Sequence, residues 1–447
     1  MKNRWLVGIA GAFLMTILGA IYSWSLFTEP LIASFGWSNL TTTWTFALSI
    51  FFLGLGALTG GRWQDRVGPR KVALAGVVMW GMGNMLAGIG TPYLGAWWLY
   101  ASYGVIGGFG AGMGYVTPVA VVTKWFPDRR GLGGGMVVMG FGLGAVIYNL
   151  IVKSIPSFAA AAAAAADYAS ARAQALASHV DFDAARHALP LPHMQAVMDV
   201  FVMSGIAFLL LGCLCTYFLN DPPPALSTPA APATSSSGHS YSTQEVLRTP
   251  QFYVLWLMLF LNVTAGILVI SNAVPIMQEM TGAVPKVAAA VFGGIALCNA
   301  AGRLFWGAVS DRIGRKDAYV LIFLMQAIVF FAMGGMHTLL PVALAYAVIL
   351  FCYGGGFGVM PSFSADYFGT RHMGANYGAL LTAWGGAGLV GPLLAAHAKD
   401  ATGSFSGVLP VVTGMLLMAT ILPLTIRKPA SSKLVAVTPH VLDQAHN

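Results

Sequence analysis

Arg303 stands alone in an apolar stretch, between Leu297-Cys-Asn-Ala-Ala-Gly302 and Leu304-Phe-Trp-Gly307. No other Lys, Arg, Asp or Glu lies well inside an apolar run of this chain. A guanidinium offers a planar fork of donors matched to a carboxylate, and a charge at such depth marks a ligand or a pathway. Arg303 precedes Asp311 by eight positions, roughly 12 Å along a helix at about 1.5 Å per residue, a long reach for snorkelling to the helix end. With no deep acidic residue to neutralise it, the expected counter-ion is the ligand itself, a small anion. Asn299 lies one turn earlier on the same face and can donate to that anion.

Other chemistries find less support. Cys213, Cys215, Cys298 and Cys352 show no metal-ligand spacing and read as small apolar residues. The glycine runs at 107–112, 131–135 and 140–144 lack the strand-turn-helix setting of a phosphate loop and suit close helix packing. No cluster of nucleophiles, carboxylates or metal ligands suggests catalysis, so no catalytic residue, metal or cofactor is expected, and ATP is not expected as the energy source.

The elements that carry Arg303 are set by composition. Of 447 residues, 57% are hydrophobic and 9% charged, against roughly 25% charged in a soluble domain. Runs of about 20 apolar residues suffice to cross a bilayer. They fall at 5–26, 43–59, 72–90, 96–122, 132–152 and 197–219, then at 252–277, 287–309, 318–336, 341–361, 374–396 and 408–426. The expected fold is an all-α polytopic membrane protein with twelve transmembrane helices in two pseudo-symmetric six-helix bundles. Lys2 and Arg4 before the first run mimic a signal peptide, but no A-x-A-like site follows, so the helix is read as retained.

Nearly all basic residues fall in loops on one side; Lys153, Arg172, Arg186, Lys286 and Lys399 fall on the other. The positive-inside rule then places both termini in the cytoplasm of a multi-pass cell-membrane protein. The net charge of +8 is a topology signal and gives no reason to invoke nucleic acid.

Four further segments organise the chain. Residues 1–219 form a first half with a long outer-face insertion at 153–195, and 220–248 form a Pro-, Ala- and Ser-rich cytoplasmic linker. Residues 249–427 form a second half and 428–447 a cytoplasmic tail. Ser242-Thr-Gln-Glu245 reads as a capping box opening a short helix. The alanine run at 159–166 is cut short by Asp167 and Arg172, so a short helix on the outer face is expected there.

The halves repeat each other. Gly61-Arg-Trp-Gln-Asp65-Arg66-Val-Gly68-Pro-Arg70 follows the second run, and Gly307-Ala-Val-Ser-Asp311-Arg312-Ile-Gly314-Arg315 closes the eighth. In this G-x-x-x-D-R-x-G motif the glycines permit close approach and tight turning, and the aspartates can accept from a neighbouring helix end or pair with arginines. That suits a latch. Tyr115 and Tyr353 fall on equivalent helices, about five residues out of register, where a phenol can hydrogen-bond a carboxylate.

This motif in both halves, on twelve spans with a central linker, resembles the major facilitator superfamily. Gly112-Met-Gly-Tyr-Val-Thr-Pro118, Lys124-Trp-Phe-Pro-Asp-Arg-Arg-Gly131 and Glu245-Val-Leu-Arg-Thr-Pro-Gln-Phe252 resemble more narrowly the oxalate:formate antiporter family and its monocarboxylate-transporter relatives. The resemblance implies secondary active transport of a small carboxylate by alternating access, with a proton or a counter-transported anion as partner, in the lipid bilayer and as a monomer. It also implies a lysine in the eleventh span of oxalate exchangers, where this chain has Trp384, and a lysine in the first span of animal monocarboxylate carriers, where it has Leu26. The position of Asn299 is acidic in those animal carriers. With one cation in place of two, a monocarboxylate such as lactate, pyruvate or formate is the expected substrate; the alternatives are oxalate/formate-type exchange and carriage of an unrelated small solute by a member of the same superfamily.

Overall fold

A computed structural model describes residues 3–178, 193–223, 240–402 and 407–429. Arg186 of the insertion, most of the linker, the tail with Lys433, and the Lys286 and Lys399 side chains lie outside the described residues.

The described chain is helical: α1 (Arg4–Gly19), α2 (Ser25–Phe35), α3 (Asn39–Val67), α4 (Pro69–Leu99), α5 (Gly108–Trp125), α6 (Arg130–Lys153), α7 (Pro156–Ala177), α8 (Met194–Thr216), α9 (Thr243–Val246), α10 (Pro250–Thr281), α11 (Pro285–Ile313), α12 (Arg315–Met333), α13 (Leu339–Phe368), α14 (Met373–Leu380), α15 (Thr382–Thr402) and α16 (Val408–Thr425). Among the described residues, ten stretches are long and apolar enough to cross a membrane. One of them, running from Pro69 to Trp125, makes two passes. It reverses at Gly95, whose φ of 69° lies in the left-handed region, so that Gly76 faces Gly114 and Gly83 faces Gly107 in an antiparallel pair. α14 and α15 form a further pass that is broken at Leu381. The architecture is the expected one of twelve passes.

Two boundaries depart most from the sequence expectation. The first pass continues through a 3₁₀ turn, Ala20–Ser23, into α2 and ends nine residues later than expected, at Phe35. The helix α7, expected to be short, has 22 residues; its alanines favour a helix, and Asp167 and Arg172 do not interrupt it because it is not one of the apolar spans. Glu29 of α2 sits close to that Arg172. The capping box forms as read: the Ser242 amide donates to Glu245 Oε2 at 2.7 Å and the Glu245 amide to Ser242 Oγ at 3.4 Å.

The halves meet along two pairs of passes, α6 against α11 and α3 against α14 and α15. Both seams are glycine-lined. Gly131 and Gly135 oppose Gly307 across one, and Gly61 and Gly54 oppose Gly374 and Gly385 across the other. A side chain at these points would push the backbones apart, and small residues are how helices approach closely without a hydrophobic drive between them.

Candidate functional site

Arg303 is fully buried on the inner face of α11. The helical repeat stacks it over Asn299, whose Oδ1 accepts from Arg303 Nε at 3.1 Å. Arg303 Nη1 crosses the seam and donates to the Val138 carbonyl of α6 at 3.3 Å. Nη2 has no partner. The guanidinium carbon stands 4.8 Å from the ring centre of Phe357 and 5.4 Å from that of Phe141. No carboxylate pairs with it among the described residues. Two ring faces supply about 2 kcal/mol each when desolvated, whereas a buried ion costs several kcal/mol. The charge is held in place but not neutralised.

Aromatic residues from both halves close around it. Tyr22, Tyr115 and Phe141 come from the first half, and Tyr353, Phe357, Tyr377 and Trp384 from the second. Trp384 is the hub: its ring centre lies 4.8 Å from Phe357, 5.0 Å from Tyr115, 5.3 Å from Phe141 and 6.0 Å from Tyr22. The Tyr22 and Tyr353 hydroxyls are hydrogen-bonded at 2.6 Å across the seam. Tyr115 and Tyr377 lie near each other and near the Arg303 charge, yet neither hydroxyl makes a hydrogen bond of normal geometry. Trp384 Nε1 is likewise unpartnered. Buried donors are nearly always satisfied. Here Arg303 Nη2 and the Tyr115 and Tyr377 hydroxyls leave unsatisfied polar atoms close to one positive charge, an arrangement that can accept a small anion.

Local backbone features aim these side chains. Past the break at Leu381, the Trp384 amide returns to the Leu381 carbonyl at 3.0 Å, and Gly385 and Gly386 follow, so the indole turns inward. On α13 the carbonyls at the two ends of the segment 353–356 are tied by neighbouring helices: Asn262 Nδ2 donates to Tyr353 O at 3.1 Å and Tyr319 Oη to Gly356 O at 2.7 Å. Gln326 Nε2 anchors Asn262 at 2.9 Å.

The repeated motif closes the end of the bundle that carries the basic loops. Asp311 accepts from the Gly131 and Leu132 amides, both at 2.9 Å, at the start of α6. Asp65 accepts from the Gly374 and Ala375 amides at 3.2 and 2.8 Å, at the start of α14. Each aspartate thus caps a helix of the opposite half, where the exposed amides and the helix dipole favour an anion. Gly68 and Gly314 end their helices with φ of 91° and 95°, and Gly61 and Gly307 face backbone across the seams. On one side Arg315 donates to Asp311 at 2.6 Å and to Asp366 at 3.0 Å, and Arg130 donates to Asp366 at 2.9 Å. On the other side Arg70 stacks on Tyr217 at 4.6 Å. Arg66 and Arg312 are exposed.

Of the residues singled out by sequence, Arg303, Asn299, Tyr115, Tyr353 and Trp384 converge. Asn299 orients the arginine through its acceptor oxygen. Leu26 packs half-buried against the core; Tyr22, one turn earlier, is the residue of that segment joined to Tyr353. The offset between the two tyrosines, about five residues by sequence, is four in the structure. Gly56 faces the Phe109 carbonyl as Gly302 faces that of Phe351, which pairs Tyr115 with Phe357 and leaves Tyr353 one turn away, so Tyr353 and Phe357 share a face. Tyr22, Phe141, Phe357, Tyr377 and Asp366 were not singled out by sequence. The segments Tyr22-Ser-Trp-Ser-Leu26 and Gly140-Phe-Gly carried two of them in view.

The chain resembles transporters throughout. It is 26% identical over 387 residues to the oxalate:formate antiporter of Oxalobacter formigenes, spanning 85% of this chain and 81% of that one. It is 27% identical over 379 residues to apicoplast pyruvate carrier 1 of Toxoplasma gondii, spanning 75% and 66%. Among solved structures, the E. coli fucose:proton symporter FucP aligns with a TM-score of 0.65 at 14% identity, over 93% of this chain and 98% of that one. The human organic anion transporter MFSD10 aligns with a TM-score of 0.65 at 16% identity, over 95% and 100%; at such identity the likeness is one of fold. The Major Facilitator Superfamily model matches residues 5–178, 194–392 and 255–440. With both halves matched and the helices arranged as described, the chain belongs to the Major Facilitator Superfamily and is a membrane transporter, not an enzyme.

Proposed function

We propose that this transporter moves a small monocarboxylate, of the formate, lactate or pyruvate kind, and that Arg303 pairs with its carboxylate. One observation carries the reading: a fully buried arginine with an unpartnered Nη2 and no carboxylate partner among the described residues, ringed by aromatic donors. One carboxylate matches one guanidinium fork. The remaining walls are aromatic, which suits a short apolar tail and offers no second cation to a dianion. The oxalate:formate antiporter and the pyruvate carrier named above both act on small carboxylates by their names, which supports the class.

The basic end is the cytoplasmic side by the positive-inside rule, in the cell membrane, and one chain holds the complete site. The Asp65 and Asp311 caps hold that end shut, and breaking them lets the halves rock to open it. Exchange is the mode of coupling that a buried, uncompensated arginine favours, because reorienting without an anion carries a bare charge through the closed state. A proton entering with the anion is the competing mode.

The test is uptake of labelled formate, lactate, pyruvate and oxalate into proteoliposomes, with and without preloaded anion and with an imposed pH gradient. Uptake of a monocarboxylate that requires preloading supports the proposal. Uptake driven by the gradient from empty vesicles replaces exchange with symport, and uptake of none of the four removes the substrate class.

A further inference from the structure

The first half carries an apolar groove of ≈ 470 Å³ between α3, α4 and α5, lined by Gly60 and Trp63, Ala75 and Met79, and Phe109 and Met113. It opens on the outer wall of the bundle, where Trp63 is 42% exposed. Its hydroxyl, from Thr59, is already bound to the carbonyls of Leu55 and Gly56 at 3.0 and 3.2 Å. A polar ligand finds nothing there.

The internal repeat supplies a comparison. Gly60 and Trp306 occupy the same place in the motif, each immediately before its first glycine. Gly60 faces Met113, while Trp306 faces Gly355. The large residue has changed helices, and in the second half the buried indole fills the place that Gly60 leaves open.

The mouth of the groove faces the basic end and is positively charged. Arg66 follows Trp63 by three residues on α3, and Lys71 precedes Ala75 by four on α4, so both continue the groove-lining faces. Both are exposed. The N-terminus of α4 lies between them, adding the positive end of a long helix. Gly60 is roughly 10 Å from the end of α3 at about 1.5 Å per residue, which places the groove among acyl chains and the cations at headgroup level. Apolar depth below two cations is the complement of one lipid class. We propose that the groove binds one acyl chain of an anionic phospholipid, whose phosphate rests on Arg66 and Lys71.

Native mass spectrometry of the full chain released from bilayers of equimolar palmitoyl-oleoyl phosphatidylglycerol and phosphatidylcholine tests this. One phosphatidylglycerol should be retained in preference to phosphatidylcholine. Lys71→Gln, an exposed change compatible with folding, should cut that preference about fivefold, the worth of one basic residue at a membrane surface. Ala75→Phe should fill the groove and remove retention of both lipids. Equal retention of the two lipids by the wild type, an undiminished preference in Lys71→Gln, or dimers dissolved by Ala75→Phe would overturn the proposal, the last by showing a second copy in the groove.

Discussion

The hydroxyls of Tyr22 and Tyr353 stand 2.6 Å apart, joining the 3₁₀ turn of the first pass to the middle of α13 across the boundary between halves. Each half contributes one partner, so the bond forms only when the halves are together at this level. Tyr22→Phe and Tyr353→Phe should each cost about 1 kcal/mol, the net worth of one hydrogen bond. The double variant should cost little more than either, since both remove the same bond. Thermal unfolding of the four proteins in one detergent measures the coupling, and simple additivity would show that the two hydroxyls act separately.

The two aspartate caps should behave as independent parts of one latch. Asp65→Ala and Asp311→Ala each remove a carboxylate from a helix N-terminus, a change worth about 1 kcal/mol, or roughly fivefold in the ratio of open to closed basic ends. Spin labels at the exposed positions Arg129 and Arg312 report that opening as a longer distance population. The two caps sit on different seams, so their effects should add. An unchanged distance distribution in the double variant would remove the latch from the account.

Trp384 occupies the centre of the chamber, and its Nε1 is unpartnered. Trp384→Lys adds a second cation near Arg303. Oxalate should then compete with formate about tenfold better than in the wild type, the lower range of coupling for close charge pairs. Competition assays in proteoliposomes give the ratio. A ratio that does not move would mean that the number of cations in the chamber does not set the preference between one carboxylate and two.

Arg303 was legible in the sequence because a charge in an apolar run has few explanations, and the motif aspartates because they recur at matching places. The twelve passes followed from hydropathy. The aromatic chamber was not legible: Tyr22, Phe141, Phe357 and Tyr377 look like any aromatic residue of a membrane helix, and only the packing of the halves brings them together. The Leu381 break escaped a window of apolar residues, since hydropathy reports composition and not helix continuity. Asp366 was missed because an acidic residue near a helix end reads as loop charge until Arg130 and Arg315 are seen to hold it. The offset of Tyr353 from Tyr115 reads as about five residues when the two glycine-rich segments are aligned on their prolines, Pro118 and Pro361, and as four in the structure. The glycine contacts of Gly56 and Gly302 give the true register.

The central claim is that the Arg303 guanidinium is the charge that binds the transported anion. Counterflow of labelled monocarboxylate in proteoliposomes tests it most directly, comparing wild type with Arg303→Gln and Arg303→Lys at matched protein density and after thermal unfolding has shown that each is folded. Truncating one member of a buried charge pair costs about 2 kcal/mol or more, ~30-fold, so Arg303→Gln should lose at least that much in kcat/KM. Arg303→Lys should recover part of it, because an ammonium restores the charge without the fork. Wild-type counterflow in a folded Arg303→Gln protein would contradict the account.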